Sequence, residues 1–111
     1  MTGIVYCLEN LAMPGLVKIG HTDDIARRLR DLDKTNIPLP FECVVAVEVK
    51  DEKQTEQLLH DVFSDHRVRQ SREFFEVSAD RVRAAFRLTG GSDVTPKSGG
   101  VVDDDAKVAV D

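Results

Sequence analysis

The chain has 111 residues, 41% of them hydrophobic and 32% charged, the balance of a soluble globular domain with one modest core. No apolar run approaches the roughly 20 residues that cross a bilayer. The opening MTGIVYCLEN has neither the basic flank nor the cleavage site of a signal peptide, so a cytoplasmic location and no membrane partner are expected. A net charge of −5 excludes strong DNA attraction through bulk charge, while leaving room for a local basic patch.

In chain order, Gly3 to Glu9 (GIVYCLE) reads as a strand, rich in β-branched and aromatic residues. NLAMPG is a turn, marked by Asn10, Pro14 and Gly15, and Leu16 to Ile19 is a second strand completing a hairpin. Thr22 or Asp23 caps a helix through about Asp33. KTNIPLP, with Pro38 and Pro40 so close, is irregular. Phe41 to Val49 is a third strand, and Asp51 starts a helix reaching about His66. RVRQS is a loop, Arg72 to Val77 a short strand, and Ser78 caps a last helix through about Leu88. The order ββαβαβα predicts a small α/β domain over residues 1–88. From Thr89 the sequence TGGSDVTPKSGGVVDDDAKVAVD has little to bury, and a flexible acidic tail over 89–111 is expected.

Side-chain periodicity places candidate residues on faces. Ile4, Tyr6 and Leu8 share one face of the first strand, and Leu16, Lys18 and Gly20 one face of the second. An antiparallel register pairing Leu8 with Leu16 sets Tyr6 beside Lys18. On the first helix Ile25, Leu29 and Leu32 form the apolar stripe; Arg28 borders it and Arg27 points to water. Arg28 is either a snorkelling arginine covering apolar surface or a cation entering a site. On the second helix Leu58, Leu59, Val62 and Phe63 form the buried face. Glu56 lies at its boundary, with His60 one turn on and more exposed. Such a Glu-x-x-x-His pair is either a solvated surface pair or two groups touching one ligand.

Cys7 and Cys43 fall in strand-like stretches, read as buried thiols acting as small hydrophobes. No spacing suggests a zinc site. Arg67, Arg69 and Arg72 cluster just before Phe74 and Phe75. They form either a solvated basic loop or a patch contacting a nucleic-acid backbone. One of the two adjacent phenylalanines packs in the core and the other faces the opposite side of the sheet.

Tyr6, then Val17-Lys18-Ile19-Gly20, then Arg28 eight residues past that glycine, then Glu56 on the next long helix form a constellation that resembles the GIY-YIG nuclease superfamily. PGLVKIGHT, EQLLHDVF and REFFEV look most like its phage-associated branch with a VKIG motif, in which lysine takes the place of the second motif tyrosine. The resemblance spans about residues 3–88. It implies a small central antiparallel sheet flanked by helices, and hydrolysis of a DNA phosphodiester with one divalent ion, Mg²⁺ or Mn²⁺, and no small-molecule cofactor.

Carried over by position, Glu56 matches the metal-binding glutamate, Arg28 the phosphate-binding arginine and Tyr6 the tyrosine that helps activate water. Lys18 cannot accept a proton while charged, but it can hold a phosphate or lower the pKa of a neighbouring Tyr6. His60 and His21 are accessory candidates, for a proton shuttle or a phosphate contact. The competing reading is a nucleic-acid-binding module that keeps the fold without efficient catalysis. The lysine at position 18, the nearly neutral body and the lack of room for a targeting domain favour that reading.

Overall fold

The continuous apolar run in GIVYCLE forms β1 (Gly3–Glu9), which runs through the middle of the sheet and is buried on both faces. A turn follows, in which Asn10 Oδ1 accepts from the Ala12 N–H at 2.9 Å and the Asn10 carbonyl from the Met13 N–H at 2.9 Å. The chain returns as β2 (Leu16–Thr22), longer than its apolar core suggested. Further on come α1 (Ile25–Leu32), β3 (Glu42–Val49), α2 (Glu52–Val62) with a 3-10 turn at Ser64–His66, β4 (Phe74–Glu76), α3 (Ala79–Arg87) and β5 (Ser92–Asp93). This computed structural model describes residues 2–33, 40–68, 71 and 73–96. The fold is α/β, a five-stranded antiparallel sheet in the order β4-β2-β1-β3-β5 with three helices. No helix among the described residues is long and apolar enough to cross a membrane.

Each helix starts on a side chain that satisfies an otherwise orphaned N–H. Asp24 accepts from Arg27 at 3.0 Å, Asp51 from Gln54 at 3.0 Å and Ser78 from Arg81 at 3.3 Å. The first cap is thus Asp24, not Thr22 or Asp23. Thr22 supports it, its hydroxyl accepting from the Asp24 N–H at 3.2 Å.

Both faces of the sheet are covered. On one, Val5, Cys7, Val17, Ile19, Val47 and Phe75 pack against Leu59 and Phe63 of α2 and Val82 and Phe86 of α3. On the other, Tyr6, Leu8, Phe41 and Ala46 pack with Ile25, Leu29 and Leu32 of α1, and Phe74 joins them. The two phenylalanines therefore divide between faces as alternation requires. So do the free thiols, with Cys7 in the first cluster and Cys43 against the second. A bulge in β3, where the β1 register shifts between Cys7 and Leu8, sends Val44 and Val45 to the same side.

Three expectations need correction. The hairpin register pairs Leu8 with Lys18 and Tyr6 with Gly20, not Leu8 with Leu16 and Tyr6 with Lys18. Leu16 closes the turn onto the Met13 carbonyl, and Gly15 holds a left-handed φ of 83°, so neither continues the pairing with β1. The slip is two residues, an even number, so every side chain keeps its face and changes only its neighbour.

The second correction concerns α2, whose buried stripe is Leu59, His60 and Phe63, while Leu58 and Val62 are exposed. His60 is 8% exposed, buried where it was expected to lie open. The third is at the C-terminal end. Residues 89–96, assigned to the flexible tail, instead pair β5 with β3. The Val94 N–H donates to the Ala46 carbonyl at 2.9 Å, and the Thr95 hydroxyl accepts from the Ala46 N–H at 2.9 Å. Residues 97–111 lie outside the described residues.

Candidate functional site

The exchange of partners in the hairpin builds the site. Tyr6 points across β2 at Gly20, and a methyl group on Gly20 would sit 2.6 Å from the Tyr6 hydroxyl and 2.8 Å from its Cζ. Only a residue without Cβ lets the ring lie over the strand. The ring ends in a polar cavity of about 200 Å³ lined by Tyr6, Lys18, Gly20, His21, Arg28, Glu56 and Glu73. Tyr6 comes from β1, Lys18 and His21 from β2, Arg28 from α1, Glu56 from α2, and Glu73 from the bend before β4. Among the residues singled out in the sequence, Tyr6, Lys18, His21, Arg28 and Glu56 are brought together here.

Glu56 is held from two sides. His21 Nδ1 donates to its Oε1, and His60 Nε2 lies 3.3 Å from its Oε2. His60 Nε2 is also 3.0 Å from the Ile19 carbonyl. A carbonyl only accepts, so that nitrogen carries the hydrogen and shares it between Ile19 and Glu56. The imidazole leans on the Phe75 ring, with centroids 5.1 Å apart. His60 therefore borders the cavity through Glu56 rather than lining it. It ties α2 to β2 and fixes the carboxylate. An ionised carboxylate offers about four lone-pair positions, so the two imidazoles leave capacity on Glu56 toward the cavity.

Lys18 stands apart from the role expected for it. Its ammonium pairs with Glu73 and lies 5.6 Å from the Phe74 ring centroid. The cation acting on the Tyr6 phenol is Arg28, and even so burial dominates, pushing that phenol from 10.0 up to about 12, with Glu73 and Glu56 adding to the rise. Lys18 is not among the charges that act on the phenol, so the lowering that was one of its two expected roles is not seen. The Tyr6 phenol is therefore protonated at neutral pH.

Arg28 is half-buried and, among the described residues, makes no ion pair, whereas Arg27 is exposed and paired with Asp23. No group of three or more His, Cys, Asp or Glu side chains is arranged to hold a metal among the described residues. Of the expected basic patch, Arg69 and Arg72 lie outside the described residues. Arg67 is exposed, with its guanidinium 5.2 Å from the Phe75 ring centroid, and it does not line the cavity.

Glu73 is the residue that sequence reasoning missed. Counting alternation back from Phe75 sends it to the face opposite Lys18. It precedes the strand, however, and its carbonyl accepts from the Ile19 N–H at 3.0 Å, which anchors the bend beside β2. The one available signal was an acidic residue directly before the aromatic pair.

A family model, the T5orf172 domain, matches residues 3–90, the whole of the sheet through β4 and all three helices. The chain belongs to the T5orf172 domain family. T5orf172 is a phage-associated domain related to nucleases of the GIY-YIG and HNH-like kinds, and membership is consistent with a nuclease-like or DNA-binding module. No significant match to a curated protein or to a solved structure is found. The T5orf172 match spans every residue lining the cavity.

Proposed function

We propose that this T5orf172 domain is a divalent-metal-dependent DNA endonuclease of the GIY-YIG type, acting by hydrolysis of a phosphodiester. The observation that carries the reading is the convergence on one small cavity of a guanidinium with no ion pair among the described residues, a fixed carboxylate and a buried phenol, from three separate elements.

Arg28 offers planar N–H donors to the non-bridging phosphate oxygens, where charge builds up in the transition state. Tyr6 donates its hydroxyl hydrogen to the substrate or to the attacking water. His21 keeps Nδ1 on Glu56 and so has Nε2 for taking a proton from water. The hydroxide forms the new P–O bond, and the old ester oxygen leaves with the bonding pair and is protonated from solvent. Glu56 is the side chain that holds Mg²⁺ or Mn²⁺. One carboxylate with phosphate oxygens and waters is a sufficient donor set for such an ion, and the cavity has no dedicated all-protein cage among the described residues. When bound, the ion neutralises phosphate charge and stabilises the leaving oxygen.

The test is nicking of supercoiled plasmid with Mg²⁺ or Mn²⁺ and with chelator, for wild type and Glu56→Ala. Metal-dependent nicking that disappears in the variant supports the nuclease. Nicking that persists in the variant removes Glu56 from the reaction. The second reading, a DNA-binding module without efficient catalysis, is favoured by one feature: the motif lysine is already neutralised by Glu73. It predicts DNA binding with no cleavage under any metal.

A further inference from the structure

The cavity holds two permanent cations, Lys18 and Arg28, and two carboxylates, Glu56 and Glu73. Leaving the imidazoles aside, it offers a polyanion no net positive charge, and the chain as a whole is acidic at −5. The main chain at Glu73 is held in place. Its carbonyl is bonded to the Ile19 N–H, its own N–H donates to the Ser71 hydroxyl at 3.3 Å, and the Phe74 N–H donates to the same hydroxyl at 3.0 Å. The Lys18 side chain is only 14% exposed and that of Glu73 45%, so the ammonium lies in a partly desolvated place, where its charge is screened less than on an open surface.

Resting on the reading of the cavity as a phosphodiester site, we propose that Glu73 makes DNA binding conditional on a divalent cation. Glu73 cancels Lys18, and Glu56 offsets Arg28. A phosphate is then attracted only when Glu56 is itself neutralised by a bound divalent ion. The device suits an acidic chain, because DNA is engaged only when the ion that Glu56 requires is present.

The experiment is fluorescence anisotropy of a short labelled DNA duplex, with Ca²⁺ (to limit cleavage) or with chelator, across a salt series. Wild type, Glu73→Gln and the double variant Lys18→Gln/Glu73→Gln are compared, with thermal melts to confirm folding. Wild type is expected to bind at least about tenfold more weakly in chelator. Glu73→Gln is expected to bind in chelator within about threefold of its affinity in Ca²⁺. Its log–log salt slope in chelator should steepen by about one, the signature of one more phosphate contact. The double variant loses that gain, because Glu73 acts through Lys18.

Equal wild-type binding with and without Ca²⁺ overturns the proposal and leaves DNA binding standing. A Glu73→Gln protein that still needs Ca²⁺ also overturns it. Absence of binding by every folded form in both conditions overturns the proposal together with the phosphodiester reading.

Discussion

Gly20→Ala gives a direct test of the geometry that creates the cavity. The added methyl meets the Tyr6 hydroxyl at 2.6 Å and Cζ at 2.8 Å, below any ordinary carbon contact. Tyr6 is 2% exposed and packed among Leu8, Ile25, Phe41 and Ala46, so the ring can give way only by disturbing that packing or by shifting its hydroxyl end into the cavity. Overpacking of this kind costs about 1–3 kcal/mol. Against it stands the loss of glycine's unfolded-state freedom, worth about 0.4–1 kcal/mol in alanine's favour where the backbone permits it. Gly20 has no positive φ, so that gain applies. The net expectation is a loss of about 1–2 kcal/mol, at about 4–8 °C in Tm per kcal/mol for a domain of this size. In a Tyr6→Leu background the clashing atoms are gone and the sign reverses, with Gly20→Ala stabilising by a few tenths of a kcal/mol or more. Urea unfolding of the four proteins closes the double-mutant cycle. A Gly20→Ala substitution that is neutral in wild type, or costs the same in both backgrounds, would refute the close approach of Tyr6 to β2.

Arg28→Lys is expected to lower plasmid nicking by about tenfold or more with little change in stability, because a point ammonium does not reproduce the planar fork; near-normal rates would remove Arg28 from phosphate contact. His60→Phe fills the space beside Phe75 but removes the donor shared by the Ile19 carbonyl and Glu56, leaving His21 alone on the carboxylate. A destabilisation of about 1–3 kcal/mol is expected by urea unfolding, along with a larger fall in nicking rate than in DNA affinity. Alkaline stability follows from raised pKa values, since burial lifts Tyr6 from 10.0 and Cys43 from 9.0, both to about 12. The unfolded chain releases these protons first, so stability is full below about pH 9 and declines as pH rises toward 12. Tyr6→Phe should flatten part of that decline in Tm-versus-pH curves, and an unchanged curve counts against the buried phenol. Burial likewise pushes the Cys7 thiol well above its usual range, so alkylation of native protein at pH 8 should leave Cys7 unmodified until denaturant is added.

Much of this arrangement was legible before the structure. Asp51 and Ser78 announced their helices by the chemistry of capping. The 100° step separated half-buried Arg28 from exposed Arg27 with no knowledge of what either faced. Period-two alternation divided Phe74 from Phe75. The illegible parts share a physical reason, namely that they depend on partners distant in sequence. Apolar counting assigned Leu58 and Val62 to the core and left His60 outside. A histidine whose N–H is shared by the Ile19 carbonyl and Glu56 is buried at little cost, and its position rotates the helix. The register slip was set by a turn closing on Met13 and Gly15, which hydrophobic pattern does not encode. Residues 89–96 looked too polar to fold, yet an edge strand needs few apolar contacts when Val94 and Thr95 bond to Ala46.

The cavity draws its walls from β1, β2, α1, α2 and the bend before β4, and the Lys18 and Glu73 that face each other are 55 positions apart. As the chain emerges during synthesis, Arg28 and Glu56 appear early, but the cavity is complete only after Glu73 has been threaded out and β4 has docked on β2. Local fraying of β4 would separate Glu73 from Lys18 and also draw Phe75, which is fully buried, out of the core. Tyr6, His21, Arg28 and Glu56 all precede Glu73 in the chain, so the carboxylate that pairs with Lys18 is the last lining residue of the cavity to be made.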